Sequence, residues 1–424
     1  MPFEDDRGLS LSTRSAAARD ACCDGVRRLL AARPGIETAL HAAIEADPDF
    51  ALAHAALARA HQIHGRGAQA RETMGKAVAL AHLLPERERS HVDALARVVG
   101  GDAIGALAAI EAHLARWPRD VMVMAPCTGV FGLFGFSGRA GREQALAAFL
   151  EPFAASLADD PWYLAMRAFA RCEIGEIGAA LADVERSLAL EPDSAHTVHI
   201  LAHVRYEAGD DAGALADLRA WLASYPREAM MHLHLHWHVA LSALALGDHD
   251  AAWATYRTTV APGAAWGPPL NLITDAASFL MRAALAGEPV EPVEWRELAA
   301  LAQRLFPMPG IAFADAHVAL ALAMCGDHEA LARLRGAATG PAADVVAALA
   351  EAFGAFANDD MAATLRALAP VLATHERLGG SRAQRDLVEQ LAWVAIVRGG
   401  LDNAWRPRPT RALPARMPAP PAGR

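Results

Sequence analysis

Lysine is almost absent from the 424 residues, and no basic block occurs anywhere. Lys plus Arg number 39 against 49 Asp plus Glu, a formal charge of −10. A chain of that sign does not neutralise phosphates or an anionic bilayer, so neither nucleic acid nor membrane is expected as the main partner. Cysteine is scarce. The five (Cys22, Cys23, Cys127, Cys172, Cys325) are scattered, and no CxxC pair exists. That excludes a cysteine zinc knuckle and a disulfide framework, and reads as the reduced thiols of a cytoplasmic protein. Residues 1–20 carry acids and no apolar stretch, so no signal peptide is expected. No apolar run reaches the length of a membrane span. HExxH, the GxSxG elbow, the Walker motif and the kinase set are all missing. The glycines 129, 132, 135 and 138 follow no strand and precede no lysine, so they read as close-packing or loop glycines rather than a phosphate cradle.

What is present is helix-forming. Hydrophobic residues make up 54% and aromatics only 6%, with alanine dominant, and Ala, Leu, Arg and Glu together favour helix over strand. Glycines at 65, 101, 138, 175, 209, 247, 287 and 326 recur every 34 to 40 residues. The clearest copies read GEIGAALADVERSLALEP, GDDAGALADLRAWLASYP and GDHDAAWATYRTTVAP. Glycine ends one helix, an acid opens the next, and a proline (Pro118, Pro192, Pro226, Pro262) closes the unit. Small residues at Ala179, Ala180, Ala214 and Ala252 let the paired helices approach. A period just above 34 is that of a helix–turn–helix repeat. The expected fold is all-α: a tetratricopeptide-like right-handed superhelix of about eight helix pairs over residues 13–400. Residues 1–12 are expected to fray, residues 381–400 to form a C-terminal capping helix, and the Pro/Arg-rich segment 402–424 to be a disordered tail.

The first helix of each pair is expected to line the concave face, so its polar residues carry the interest. Seven of the 18 histidines lie between positions 196 and 238. His199 and His203 are i,i+4, as are His234 and His238, and the pair His232 and His236 lies on another face. Two such pairs on adjacent helices offer up to four imidazoles to one centre, suited to Zn, Fe, Cu or Ni, or to acid–base work near neutral pH. Packed, hydrogen-bonded histidines between helices account for the same pattern. Asp275 reads first as an N-cap before an apolar run, and Glu173 as a solvated helix end. Asp315 and His317, at i,i+2, share one groove only if Asp315 starts a helix. Ser381 and Gln384 form an S-x-x-Q capping box. The box leaves Arg385 and Asp386 unexplained, as an anion clamp or as ion-pair anchors of the last helix.

Several segments together resemble the tetratricopeptide repeat protein 38 family over roughly residues 10–400. They are LSTRSAAARD, RERSHVDAL, AFARCE through LAHV, HLHWHVAL, TDAAS, FADAH and GGSRAQRD. In that resemblance Glu173, His199, His203, His234, Trp237, His238, Asp275, Asp315, His317, Gln384, Arg385 and Asp386 match the family's blocks. His196, His232 and His236 depart from it and are weaker site candidates. The resemblance implies a tetratricopeptide-like fold and assigns no reaction or cofactor. The leading expectation is a concave groove that binds a small polar or anionic ligand through a His/Asp/Glu/Arg cluster, with or without catalysis. The alternative is a protein-interaction scaffold holding an extended peptide in the groove. A further alternative is a metal site at His199, His203, His234 and His238.

Overall fold

Each alanine-rich run, broken by a glycine and an acid, folds back on itself as a helix pair. The computed structural model describes residues 3–400. The expected tail 402–424 lies outside the described residues. Helix α1 (Ala16–Leu30) pairs with α2 (Ile36–Ala46), α3 (Ala51–Ile63) with α4 (Gly67–Leu80), and α5 (Glu86–Gly100) with α6 (Ala103–Leu114). Short α7 (Val121–Met124) and α8 (Arg142–Leu150) flank an irregular glycine-bearing segment. The pairs then resume. They are α9 (Pro161–Glu173) with α10 (Ile177–Leu190), α11 (Ala195–Ala208) with α12 (Asp211–Leu222), and α13 (His232–Ala245) with α14 (His249–Thr255). After these come α15 (Pro269–Leu285) with α16 (Pro292–Leu305), α17 (Ala312–Cys325) with α18 (His328–Ala337), and α19 (Ala343–Ala357) with α20 (Met361–Leu368). A last helix, α21 (Arg382–Gly399), stands alone. The architecture is an all-α, tetratricopeptide-like superhelix. No disulfide forms among the described residues, and no helix among them is long and apolar enough to cross a membrane.

The glycine–acid turn has a specific construction. Gly209 ends α11 at φ 75°, a left-handed conformation that costs a residue without Cβ nothing. Asp210 then caps α12, its Oδ1 accepting from the Gly213 N–H at 2.9 Å. Asp102, Asp248 and Asp327 repeat the cap on α6, α14 and α18. The acids read from sequence as favourable to the helix dipole thus also satisfy a backbone donor.

Two expectations are corrected. Residues 3–11 do not fray: β1 (Phe3–Glu4) and β2 (Ser10–Leu11) pair antiparallel. The hairpin is held because Leu9 and Leu11 are buried and Arg7 Nε donates to Asp160 at 2.7 Å. Helix α21 is not a cap on the end of the stack. It packs on α20 but also on α15 and α11, and residues from Arg382 to Ala395 are buried round most of its circumference. It runs inside the superhelix because Arg382, Gln384, Arg385, Asp386 and Gln390 are all buried, and polar groups are tolerated there only where partners meet them.

Successive turns of the superhelix touch. The Ala195 N–H donates to Ala31 O at 2.9 Å, and the Tyr225 hydroxyl to Ala32 O at 2.6 Å. Farther along, Arg142 Nε donates to Glu376 O at 2.6 Å and Arg377 Nε to Gly138 O at 3.2 Å. The glycines of the irregular segment serve this closure: a Cβ on Gly138 would meet Pro341 at 2.7 Å.

Candidate functional site

Two polar groups share the interior. The first is an imidazole quartet. Helix α11 presents His199 and His203 one turn apart, and α13 presents His234 and His238 in the same way. Ring centroids lie 4.5 Å apart for His199–His203, 4.7 Å for His199–His234 and 5.1 Å for His199–His238. They lie 4.7 Å apart for His203–His238 and 5.0 Å for His234–His238. One nitrogen from each ring can be chosen so that all four lie within 4.8 Å of one another. His203, His234 and His238 are buried, and His199 keeps partial exposure.

The quartet is oriented from behind. Asp275 on α15 is fully buried, and its Oδ2 accepts from His234 Nδ1 at 2.7 Å. A carboxylate in that role only accepts, so Nδ1 carries the proton and Nε2 a lone pair. Asn271 Nδ2 holds the same oxygen at 3.3 Å, and Trp237 stacks on His234 at 5.1 Å. His199 and His203 approach through Nε2 at 2.8 Å. Burial, with the neighbouring imidazoles adding to it, holds His199 well below the usual imidazole range, and burial takes His203 down to about 3. Both are therefore neutral at pH 7, with a lone pair each.

The second group anchors the start of α21. Glu173, at the end of α9, accepts from the Arg382 N–H at 3.0 and 3.1 Å and from Arg385 Nη2 at 3.3 Å. Arg385 also bonds Glu143. Glu173 is not a solvated helix end; burial, then the Glu143 charge, pushes its carboxyl upward. Asp386 accepts from the Tyr206 hydroxyl at 2.8 Å, and Arg382 Nε reaches Glu207 at 3.1 Å. Gln384 completes the capping box with Ser381, as its spacing implied. Of the two readings for Arg385 and Asp386, ion-pair anchoring is the one the contacts support.

Other expectations shift. Asp275 is not an N-cap: α15 begins at Pro269, and Asp275 sits inside the helix facing α13. Asp315 does lie in the first turn of α17, but turns back to accept from the Gly310 N–H at 3.0 Å, away from the quartet. Burial raises its carboxyl to about 6. His317 donates from Nδ1 to Phe313 O at 2.7 Å. Its Nε2 has no partner, nor has Gln384 Nε2, and both side chains line a cavity of about 10 Å³ between α17 and α21. The cluster expected as one is therefore two, a quartet with Asp275 and an ion-pair anchor for α21, with Asp315 engaged by backbone. His232 and His236 pack against each other with centroids 4.2 Å apart and planes tilted by 38°, outside the quartet.

Sequence reasoning missed Glu143, Tyr206, Glu207 and Arg282, which meet α21 only because the superhelix curls. It also missed a second convergence, in which Asp120 accepts from His91 Nδ1 at 3.0 Å, His113 Nε2 at 3.1 Å and Arg87 at 2.8 Å. There the carboxylate meets one nitrogen of each ring, Ser90 meets the other nitrogen of His113, and the arginine balances the carboxylate's charge.

No family model matches the chain. Among solved structures the chain is similar to the crystal structure of the P58(IPK) TPR domain. That match has 14% identity, covers 89% of this chain and 98% of that one, and has a TM-score of 0.22. A likeness that distant carries no argument about activity.

Proposed function

We propose that this chain is a helical-repeat binding protein whose ligand is taken at His199, His203, His234 and His238, in the interior of the superhelix. The observation that carries the reading is the convergence of four imidazoles from two helices, with a buried aspartate fixing the tautomer of one. Burying four such rings costs free energy unless their polar atoms are used. The expected ligand class narrows accordingly. Arg385, Glu173 and Asp386 are engaged with one another and their neighbours, which argues against an anion clamp. Neutral imidazole nitrogens instead suit an electron-pair acceptor or a hydrogen-bond donor. The resemblance to the tetratricopeptide repeat protein 38 family stays part of this proposal.

Native mass spectrometry of untagged protein tests the reading without knowing the ligand. The folded chain should carry excess mass that denaturation releases, and the His199→Ala and His238→Ala variants should lose it. A wild-type chain of bare mass, with variants that only melt earlier, would make the quartet a packing feature.

A second reading, a protein-interaction scaffold, is favoured by the repeat fold itself, since stacked helix pairs offer extended binding surfaces. Because α21 lies within the superhelix, a partner peptide would dock elsewhere or displace that helix. Cross-linking of a captured partner to residues on α21 or on the inner helices would decide between those two modes.

A further inference from the structure

We infer that the quartet is a mononuclear site for a divalent first-row transition metal, with tetrahedral Zn(II) as its closest match. The inference rests on the reading of the quartet as a binding centre and names the class of its ligand.

Geometry is the first support. Imidazoles bound to one ion at about 2.0–2.1 Å, in a tetrahedron, place their ring centroids about 5 Å apart. Five of the six pairs here lie between 4.5 and 5.1 Å. The rings meet edge-to-face, with interplanar angles of 62° to 80°. One nitrogen of each ring lies within 4.8 Å of the chosen nitrogens of the other three, so the four can face a common point.

Tautomer is the second. With Nδ1 of His234 committed to Asp275, its Nε2 lone pair is free to point inward. Such a carboxylate–histidine contact is the usual support behind a metal-ligating ring. Between His199 and His203 the close approach is Nε2 to Nε2. One of those two nitrogens carries a proton in the ion-free state; when an ion binds, that ring takes its Nδ1–H tautomer by proton exchange with water, and both Nε2 lone pairs become ligands.

Donor type is the third. All four donors are nitrogen. That set is poor for Mg(II) and Ca(II), which take oxygen, and lacks the thiolates that select soft ions. Helix i,i+4 spacing on two neighbouring helices fixes the four positions without any loop, so the site is preformed. The buried charge of a bound cation is offset in part by Asp275 through the His234 ring. By contrast, the His91, His113 and Asp120 group has its carboxylate taken by Arg87 as well as by both rings, and serves here as the internal control.

The test uses untagged, chelator-stripped, folded protein, titrated with zinc sulfate alone and with cobalt chloride alone. The expected result is one ion per chain, with the intense visible bands of tetrahedral Co(II). His203→Ala should abolish binding and His91→Ala should leave it intact. Asp275→Asn should weaken it 10- to 100-fold, because it replaces a charged acceptor with a neutral amide that holds the His234 Nδ1–H less strongly and offsets none of the cation's charge. His199→Gln, at the partly exposed edge, serves as a variant expected to fold, and should also lose the cobalt bands. Folded wild-type protein that binds neither ion overturns the metal inference. If native mass spectrometry still shows excess mass lost in His199→Ala, the binding centre survives with another ligand. If it shows none, both readings fall together.

Discussion

Burial decides the protonation of the inner histidines, and that makes acid the natural probe of this protein. His196, His317 and His375 are held down to about 4, each chiefly by desolvation. A histidine whose folded value lies below its unfolded value of about 6.5 stabilises the fold above that value. The contribution is lost as pH falls from about 6.5 toward the folded value. His317 alone should therefore remove about 3 kcal/mol between neutral pH and pH 4. Asp315 runs the other way. Raised to about 6, it contributes below about pH 4 and loses that contribution as pH rises through 6. Burial also raises Asp5, Glu173, Glu191 and Glu294, but it lowers a larger number of histidines, so the midpoint of urea unfolding should fall from pH 7 to pH 4. A midpoint flat over that range would mean that the rings are not buried neutral. At this scale the sequence was informative about residue type and helical spacing. The resemblance named Asp275, but its local pattern looked like a cap, because only the crossing of α15 over α13 brings it to His234.

The helix α21 shows what can and cannot be read of an element. Its capping box is local, and Ser381 with Gln384 announces it. Its burial is not local. Arg385 bonds Glu143 and Glu173, more than 200 positions earlier, and no spacing rule reaches that far. Truncating one partner of a buried ion pair strands the other, so Arg385→Ala leaves two carboxylates facing each other and should cost about 3–5 kcal/mol, read as a lowered unfolding midpoint. The turn before α21 is equally constrained. Gly380 has φ 76°, and a Cβ there would meet the Phe313 ring at 2.4 Å. Gly380→Ala should therefore destabilise through both strain and overlap, whereas Gly175→Ala, with φ 90° and open space around it, should show the strain alone. Comparison of the two melting temperatures checks this. At the repeat turns, Asp210→Ala should cost about 1 kcal/mol by removing the cap, and there the sequence pattern was sufficient to name the residue.

At the scale of the whole molecule, the period of the glycines made the helix pairs legible, but not the tightness of their coil. Helical-repeat arrays are ordinarily treated as chains of nearest neighbours, each unit gaining stability only from the next. Here the backbone of Ala31 and Ala32 is bonded to Ala195 and Tyr225, several pairs away. A coil whose windings touch is not free to gain or lose a unit. Inserting one more helix pair between positions 33 and 190 would carry Ala195 and Tyr225 out of register with their acceptors, even though every new neighbour contact were perfect. Repeat number in this protein is thereby fixed by geometry, much as the tooth count of a gear is fixed by the wheel it must mesh with.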